Sequence, residues 1–300
     1  LAAIETTHLK KYYGKTRGIE DVTLSVDEGE IFGFIGPNGA GKSTTIRTLL
    51  NFIFPTGGEA RVLGLDPVSE SKQIRAQVGY LPAEVGYYED MTVRALLEYS
   101  AEFYAMDDVT TKRRIGDLAA TFELDIARKA HTLSTGNRKK VGICLALLHS
   151  PRLLILDEPT AGLDPLMQRR LLEVLADENR RGATVFFSSH VLSEVQQFCH
   201  RVAILKDGKV LRTEEIGRLR TGQFLKVRAT FAPGDAPDSL GVPGAIHEHR
   251  ENHTLELLYN GDINVLIRQL GNHRLVTLAL EEPPLEEIFM RYYERGGETQ

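Results

Sequence analysis

The run Ile31-Phe32-Gly33-Phe34-Ile35 leads directly into Gly36-Pro37-Asn38-Gly39-Ala40-Gly41-Lys42-Ser43, and a pattern with Ile46, Leu49 and Leu50 on one face follows. No other stretch limits the fold as strongly. A short continuous apolar run bounded by glycine reads as a buried central strand, and the spacing after the turn reads as an amphipathic helix. Glycines at 36, 39 and 41 let the backbone turn tightly and aim its N–H groups, with those of Asn38 and Ala40, at a single anion. The helix N-terminus adds a positive dipole end. Strand, glycine-rich turn and helix in this order form a phosphate loop. Lys42 then supplies a point charge to β- and γ-phosphates, the hydroxyl of Ser43 can ligate Mg²⁺, and Pro37 and Thr44 complete the binding loop. An ordinary glycine-rich turn is the alternative, and the flanking strand and helix weigh against it.

A second segment, Leu133 to Asp164, adds the acids such a loop needs. The apolar run Leu153–Leu156 ends on Asp157 and Glu158. Two charges at the exit of a buried strand are costly unless something pairs with them. A divalent cation shared by Ser43, Asp157 and nucleotide phosphates provides that pairing. Neighbouring strand residues point in different directions, so Asp157 is assigned to the metal and Glu158 to the attacking water as general base. Two solvated carboxylates at a strand end are the plain alternative.

Around these motifs the chain organises itself in order. Val22, Leu24 and Val26 alternate with polar residues, the period of a half-buried strand. Residues 87–150 read as a helical insertion, with apolar repeats at Leu96, Leu97, Tyr99 and Phe103. Strand-like runs then alternate with helices: Leu153–Leu156, Leu171–Leu175, Thr184–Ser188, Val191–Phe198 and Val202–Leu205. That alternation implies a parallel sheet with helices packed on it. The pattern changes near Gly217–Gly222. Runs at Phe224–Phe231 and Leu255–Tyr259, a helix at Ile263–Leu270, a strand at Leu275–Leu280 and a helix at Leu285–Tyr293 make a separate α+β domain, 221–300.

Taken together, these motifs resemble the ATP-binding subunit of an ABC transporter over residues 1–220. The resemblance implies an α/β P-loop NTPase fold of ABC type, a mixed sheet core with a helical subdomain at 87–150, followed by the small C-terminal α+β domain. It implies an ATPase that binds ATP with Mg²⁺ in a head-to-tail homodimer and drives a separate transmembrane permease subunit. In that family the L-S-G-G-Q signature of one subunit contacts the γ-phosphate held by the other. Here it reads Leu133-Ser134-Thr135-Gly136-Asn137, which keeps Ser134 and Gly136 and departs at Thr135 and Asn137. Asp164 closes the corresponding D-loop, and His190 stands at the position of the γ-phosphate sensor. Tyr13 resembles the aromatic on which adenine stacks. Tyr12 competes for that role, and a core role for either is the alternative. The family's Q-loop glutamine is missing: Ala83 follows Leu81-Pro82 and cannot ligate Mg²⁺. Either the adjacent Glu84 takes that part or the loop only couples to the permease. Gly-Tyr-Leu-Pro before an acidic residue, L-S-x-G-N-R-x-K, and Pro284-Leu285-Glu286-Glu287-Ile288-Phe289 resemble the ABC-2 type exporters that include drug- and antibiotic-resistance ATPases, so export is expected. The C-terminal domain then serves as a dimerisation or regulatory module, or as a structural cap.

Composition narrows the alternatives. A net charge of −5 and a pI near 6.0 give no electrostatic reason to expect nucleic acid as a partner. A soluble ABC ATPase acting on nucleic acid or ribosomes would usually carry two cassettes or a long coiled coil, and this chain has one phosphate loop and no sustained heptads. A regulatory cassette with little turnover is the other alternative, prompted by Thr135, Asn137 and Ala83. No apolar run approaches the roughly 20 residues needed to span a bilayer. The chain is therefore expected to be soluble, and the resemblance implies that it is cytoplasmic, peripheral on the cytoplasmic face of the cell membrane. Cys144 and Cys199 lie apart in apolar surroundings and read as reduced core thiols.

Overall fold

In the computed structural model, which describes residues 1–217 and 225–281, the chain divides into two compact units, Leu1–Thr213 and Glu214–Gln300. The first is built on β3 (Ile31–Ile35), whose five residues are all buried. In the same sheet run β6 (Leu153–Asp157), β7 (Thr184–Ser189) and β8 (Arg201–Lys206), whose middle residues are apolar and buried because both faces are covered. β3 pairs in parallel with β7 and β8, β6 pairs with β7, and β5 (Val78–Leu81) pairs with β6. Phe32, Phe34 and Phe186 fill the centre, with Phe34 and Phe186 ring centroids 5.2 Å apart.

The sheet is larger and more mixed than helix–strand alternation suggests. β1 (Ala2–Tyr13), β2 (Thr16–Asp27) and β4 (Gly57–Val62) pair antiparallel, and β9 (Lys209–Glu215) joins them to the parallel strands. The order is β4-β1-β2-β9-β8-β3-β7-β6-β5. The alternation at Val22, Leu24 and Val26 belongs to β2, and all three residues are buried. This mixed sheet is the α/β P-loop architecture expected from the family resemblance.

Helix α1 (Lys42–Leu49) leaves the glycine-rich turn with no side-chain cap, so its first N–H groups are open to an external acceptor. The short α2 (Ser71–Arg75) precedes β5. Between β5 and β6 stand α3 (Val93–Glu102), α4 (Asp108–Thr121) and α5 (Thr135–Leu147), where the helical insertion is expected. Thr92 caps α3 and Asp107 caps α4, each accepting a backbone N–H three residues on. Leu96 and Leu97 are buried, whereas Tyr99 and Phe103 stand on the open face, 41% and 70% exposed. α6 (Pro165–Arg180) packs on β7, and α7 (Leu192–Phe198) on β3 and β7. Both cysteines are buried, and burial raises both thiols, Cys144 to about 12.

The second unit holds β10 (Leu225–Phe231), β11 (Ala245–Glu251), β12 (Thr254–Tyr259), α8 (Ile263–Leu270) and β13 (Leu275–Glu281). Its strands form an antiparallel sheet in the order β11-β12-β10-β13. Val227, Ala229, Phe231, Leu257, Leu266 and Leu270 make its core. The helix expected at Leu285–Tyr293, and the tail Pro284–Phe289, lie outside the described residues.

Candidate active site

The turn after β3 can form only with glycine at its ends. A Cβ on Gly36 would stand 2.4 Å from the Leu205 carbonyl oxygen. Gly41 has φ +109° and would meet Ile19 and the Gly18 carbonyl oxygen below 3 Å, so any side chain there collides whatever its chemistry. Lys42 is 6% exposed and curls back over the turn, donating to the Gly36 carbonyl oxygen at 2.7 Å and the Pro37 carbonyl oxygen at 3.4 Å. Its ammonium is thus held against the loop it is expected to serve.

Across the sheet, Asp157 is buried, and Ser188 Oγ donates to its Oδ1 at 2.6 Å. Glu158 does not continue the strand. β6 ends at Asp157, and Glu158 has φ +50°, a left-handed conformation costing roughly 1–3 kcal/mol for such a residue. The two carboxylates diverge because the backbone turns at Glu158, which corrects the strand-alternation reading. The turn is held in place from below: Glu158 N–H donates to Ser188 Oγ at 3.2 Å, and Ala161 N–H donates back to the Glu158 carbonyl oxygen at 3.2 Å.

The turn brings three charged or polar groups together. Glu158 Oε1 lies 3.2 Å from Lys42 Nζ, and Glu158 Oε2 lies 2.5 Å from His190 Nδ1. Glu158 is mostly buried, whereas His190 is 48% exposed. Glu194 on α7 accepts from Thr160 Oγ1 at 2.9 Å and Ser189 Oγ at 3.0 Å. It braces the loops that carry Glu158 and His190. Ser188, Thr160 and Glu194 escape sequence reading because they act through neighbours, although Ser188-Ser189 directly before His190 is a usable clue.

Lys42 and Glu158 border a cleft of about 520 Å³, lined also by Tyr13, Arg17, the glycine-rich turn, Ser43, Thr44, Ala83 and Ala161, whereas Asp157 and His190 are outside its lining. Tyr13 lines it and Tyr12 does not. Lys11 Nζ sits 5.2 Å from the Tyr13 ring centroid. Ala83 faces the cleft, whereas Glu84 is exposed and outside its lining. A buried carboxylate and a hydroxyl suit a hard cation that keeps phosphate and water ligands. Among the described residues, no cluster of three or more His, Cys, Asp or Glu could enclose a metal by itself.

Ser134, Gly136 and Asp164 lie outside that lining but close to one another. Ser134 caps α5, its Oγ accepting from Asn137 N–H at 3.3 Å, and Asp164 caps α6, accepting from Met167 N–H at 3.0 Å. A Cβ on Gly136 would stand 3.1 Å from the Gly162 carbonyl oxygen, so the two helix starts adjoin. Lys139, one turn into α5, is 4% exposed. Its ammonium donates to the carbonyl oxygens of Ala83 at 3.1 Å, Pro82 at 3.3 Å and Asp157 at 3.4 Å. Burial lowers it to about 8, against the opposing pull of Asp157 and Glu158.

Residues 19–161 match the ABC transporter family. The bacitracin transport ATP-binding protein BcrA of Bacillus licheniformis is 34% identical, over 99% of this chain and 98% of that one. This chain belongs to the ABC transporter family. Its relatives also include the linearmycin resistance ATP-binding protein LnrL of Bacillus subtilis, 29% identical over 96% of this chain and 97% of that one. A solved ATP-binding subunit of an ABC transporter is 33% identical and superposes with a TM-score of 0.69, over 73% of this chain and 92% of that one. The dimeric cassette MJ0796, bound to ADP and Pi after hydrolysis, gives a TM-score of 0.66 at 26% identity, over 71% of this chain and 98% of that one. This ABC subunit is accordingly an ATP-binding protein and an ATPase.

One other surface of this ABC subunit stands out. An apolar cleft of about 560 Å³ lies between α3, α5 and the loop after β5, with Pro82, Val85, Tyr87, Tyr88, Tyr99 and Phe103 in its lining. Tyr88, Tyr99 and Phe103 pack edge to face, at 5.9 and 5.0 Å. Among the described residues, no helix is long and apolar enough to cross a membrane.

Proposed function

We propose that this subunit hydrolyses Mg-ATP in a head-to-tail dimer and drives a separate transmembrane subunit, in the direction of export. The observation that carries the reading is the placement of Glu158, with its two oxygens 3.2 Å from the phosphate-loop ammonium and 2.5 Å from His190. In this reading Gly36–Thr44 wrap the phosphates, and Tyr13 stacks on adenine. Ser43 and Asp157 hold Mg²⁺, which when bound neutralises charge on the phosphates. Lys42 leaves its backbone acceptors for phosphate oxygens. Glu158 takes the proton of the attacking water, and the His190 imidazole orients that carboxylate and senses the γ-phosphate. Ser134, Gly136 and Asp164 are outside the lining of their own subunit's cleft, and in this reading they contact the ATP of the partner copy.

The apolar cleft of the helical subdomain is the seat of a segment from the transmembrane subunit. Exposed aromatic side chains in contact with one another mark an interaction surface. Pro82 and Ala83 are consecutive, one lining this cleft and the other the nucleotide cleft. With no ligand at Ala83 and Glu84 outside the cleft lining, that loop serves coupling and not metal binding. Export is supported by the relatives, one named for bacitracin transport and one for linearmycin resistance.

Glu158→Gln keeps size and hydrogen-bonding atoms and removes the base. Steady-state turnover should fall by about 10²–10³-fold while ATP still binds. Turnover at the wild-type rate would show that Glu158 is not the base.

A further inference from the structure

Lys139 has a place in the structure that the site described so far does not use. Lysine is almost never fully buried without a partner, and taking an ammonium out of water costs several kcal/mol. Leucine or methionine would fill the same space without that cost. Its three N–H donors meet three acceptors, and all are backbone carbonyl oxygens: Pro82, Ala83 and Asp157, at 3.1–3.4 Å. These carbonyls belong to adjacent chain segments. β5 and β6 run in parallel with Leu81 beside Leu156, so the ammonium spans the carboxyl ends of two neighbouring strands. That is the edge at which open α/β sheets bind their ligands.

Each acceptor leads somewhere different. Pro82 lines the apolar cleft, Ala83 lines the nucleotide cleft, and Asp157 precedes the turn that carries Glu158. The lysine itself rides on α5, whose first residues follow Ser134. An ammonium cannot ligate Mg²⁺, so Lys139 does not replace the missing glutamine as a ligand. It supplies a tether and a positive charge beside two carboxylates. We infer that Lys139 is a positioning residue for hydrolysis, pinning the Pro82–Ala83 loop to the end of β6 and so fixing the aim of Asp157 and Glu158. The inference rests on the reading that those two acids serve ATP hydrolysis.

The test compares Lys139→Met and Lys139→Gln with the wild-type chain and Glu158→Gln, by ATPase kinetics, fluorescent-nucleotide binding and thermal melting. Lys139→Met should lower kcat by about 10-fold or more with KM for ATP within about 3-fold, because only transition-state alignment is lost. Lys139→Gln, shorter by one bond but still a donor, should recover part of that loss. A wild-type kcat for Lys139→Met overturns the proposal. Equal losses in both variants, with weaker nucleotide binding and a lower melting temperature, also overturn it and make Lys139 a packing residue. If Glu158→Gln turns over normally, the parent reading has failed and the role of Lys139 falls with it.

Discussion

Glu158 has its backbone in a conformation that disfavours a side chain, and its carboxylate lies between a lysine and a histidine. The left-handed turn at φ +50° is held by Ser188, which gives its hydroxyl proton to Asp157 and accepts the Glu158 N–H. One hydroxyl therefore serves both acids. Ser188→Ala should cost about 1–3 kcal/mol of stability, since Asp157 is left buried without its donor. It should also slow turnover, because the Glu158 turn loses one of its anchors. Urea unfolding and ATPase kinetics on one preparation measure both effects, and an unaltered turnover would remove Ser188 from the positioning of Glu158. Sequence reading reaches Asp157 and Glu158 through charge at a strand exit, but not the turn that separates them. A positive φ at a non-glycine residue leaves no mark in composition, and a serine acting on a neighbour's backbone looks like any other serine.

Among the elements, buried central strands are legible and so is the edge strand β13, whereas the edge strands β4 and β11 are not. β3, β6, β7 and β8 have both faces covered, so each carries an unbroken apolar run at its middle. β4 at one edge and β11 at the edge of the second sheet are half polar, GGEARV and AIHEHRE, and carry no period. β1 has the residues of a strand, but register shifts against β2 interrupt its alternation. The helices of the insertion read well because capping residues and apolar stripes coincide. The outward-facing Tyr99 and Phe103 do not, since an aromatic on a helix looks the same whether it faces core or partner. The far end of α5 holds a titratable contact: the His149 ring stacks on Tyr104, with centroids 3.5 Å apart and planes 4° from parallel. Burial lowers this imidazole to about 4, against a weaker pull upward from the Val78 backbone, and neither ring nitrogen makes a full hydrogen bond. A histidine held neutral in the fold favours folding fully above its unfolded value near 6.5 and loses that contribution as pH falls from there toward 4. His149→Phe keeps the stacked ring and cannot take a proton. Between pH 7 and 4.5, wild-type stability should fall relative to this variant by about 1–3 kcal/mol. Parallel pH profiles of unfolding would exclude the buried neutral imidazole.

For the whole molecule, the geometry bears on the proposed head-to-tail dimer. The cleft holds the phosphate loop, Glu158 and a wall of Tyr13, but Ser134, Gly136 and Asp164 gather outside its lining, at the starts of α5 and α6. The same acids and phosphate loop are legible in sequence as local motifs. The division into a near set and a far set is a matter of three-dimensional placement, which motif spacing does not carry. Hydrolysis in this account needs a second copy to bring its own Ser134 and Gly136 to the γ-phosphate, so ATP binding and dimerisation are linked equilibria. The most direct test is sedimentation velocity of the Glu158→Gln chain with Mg-ATP and with Mg-ADP. The expected result is a dimer with ATP that reverts to monomer with ADP, and loss of the ATP dimer when Ser134 is also changed to Arg. A chain that stays monomeric with saturating Mg-ATP, while its wild-type form hydrolyses ATP at a rate independent of protein concentration, would contradict it.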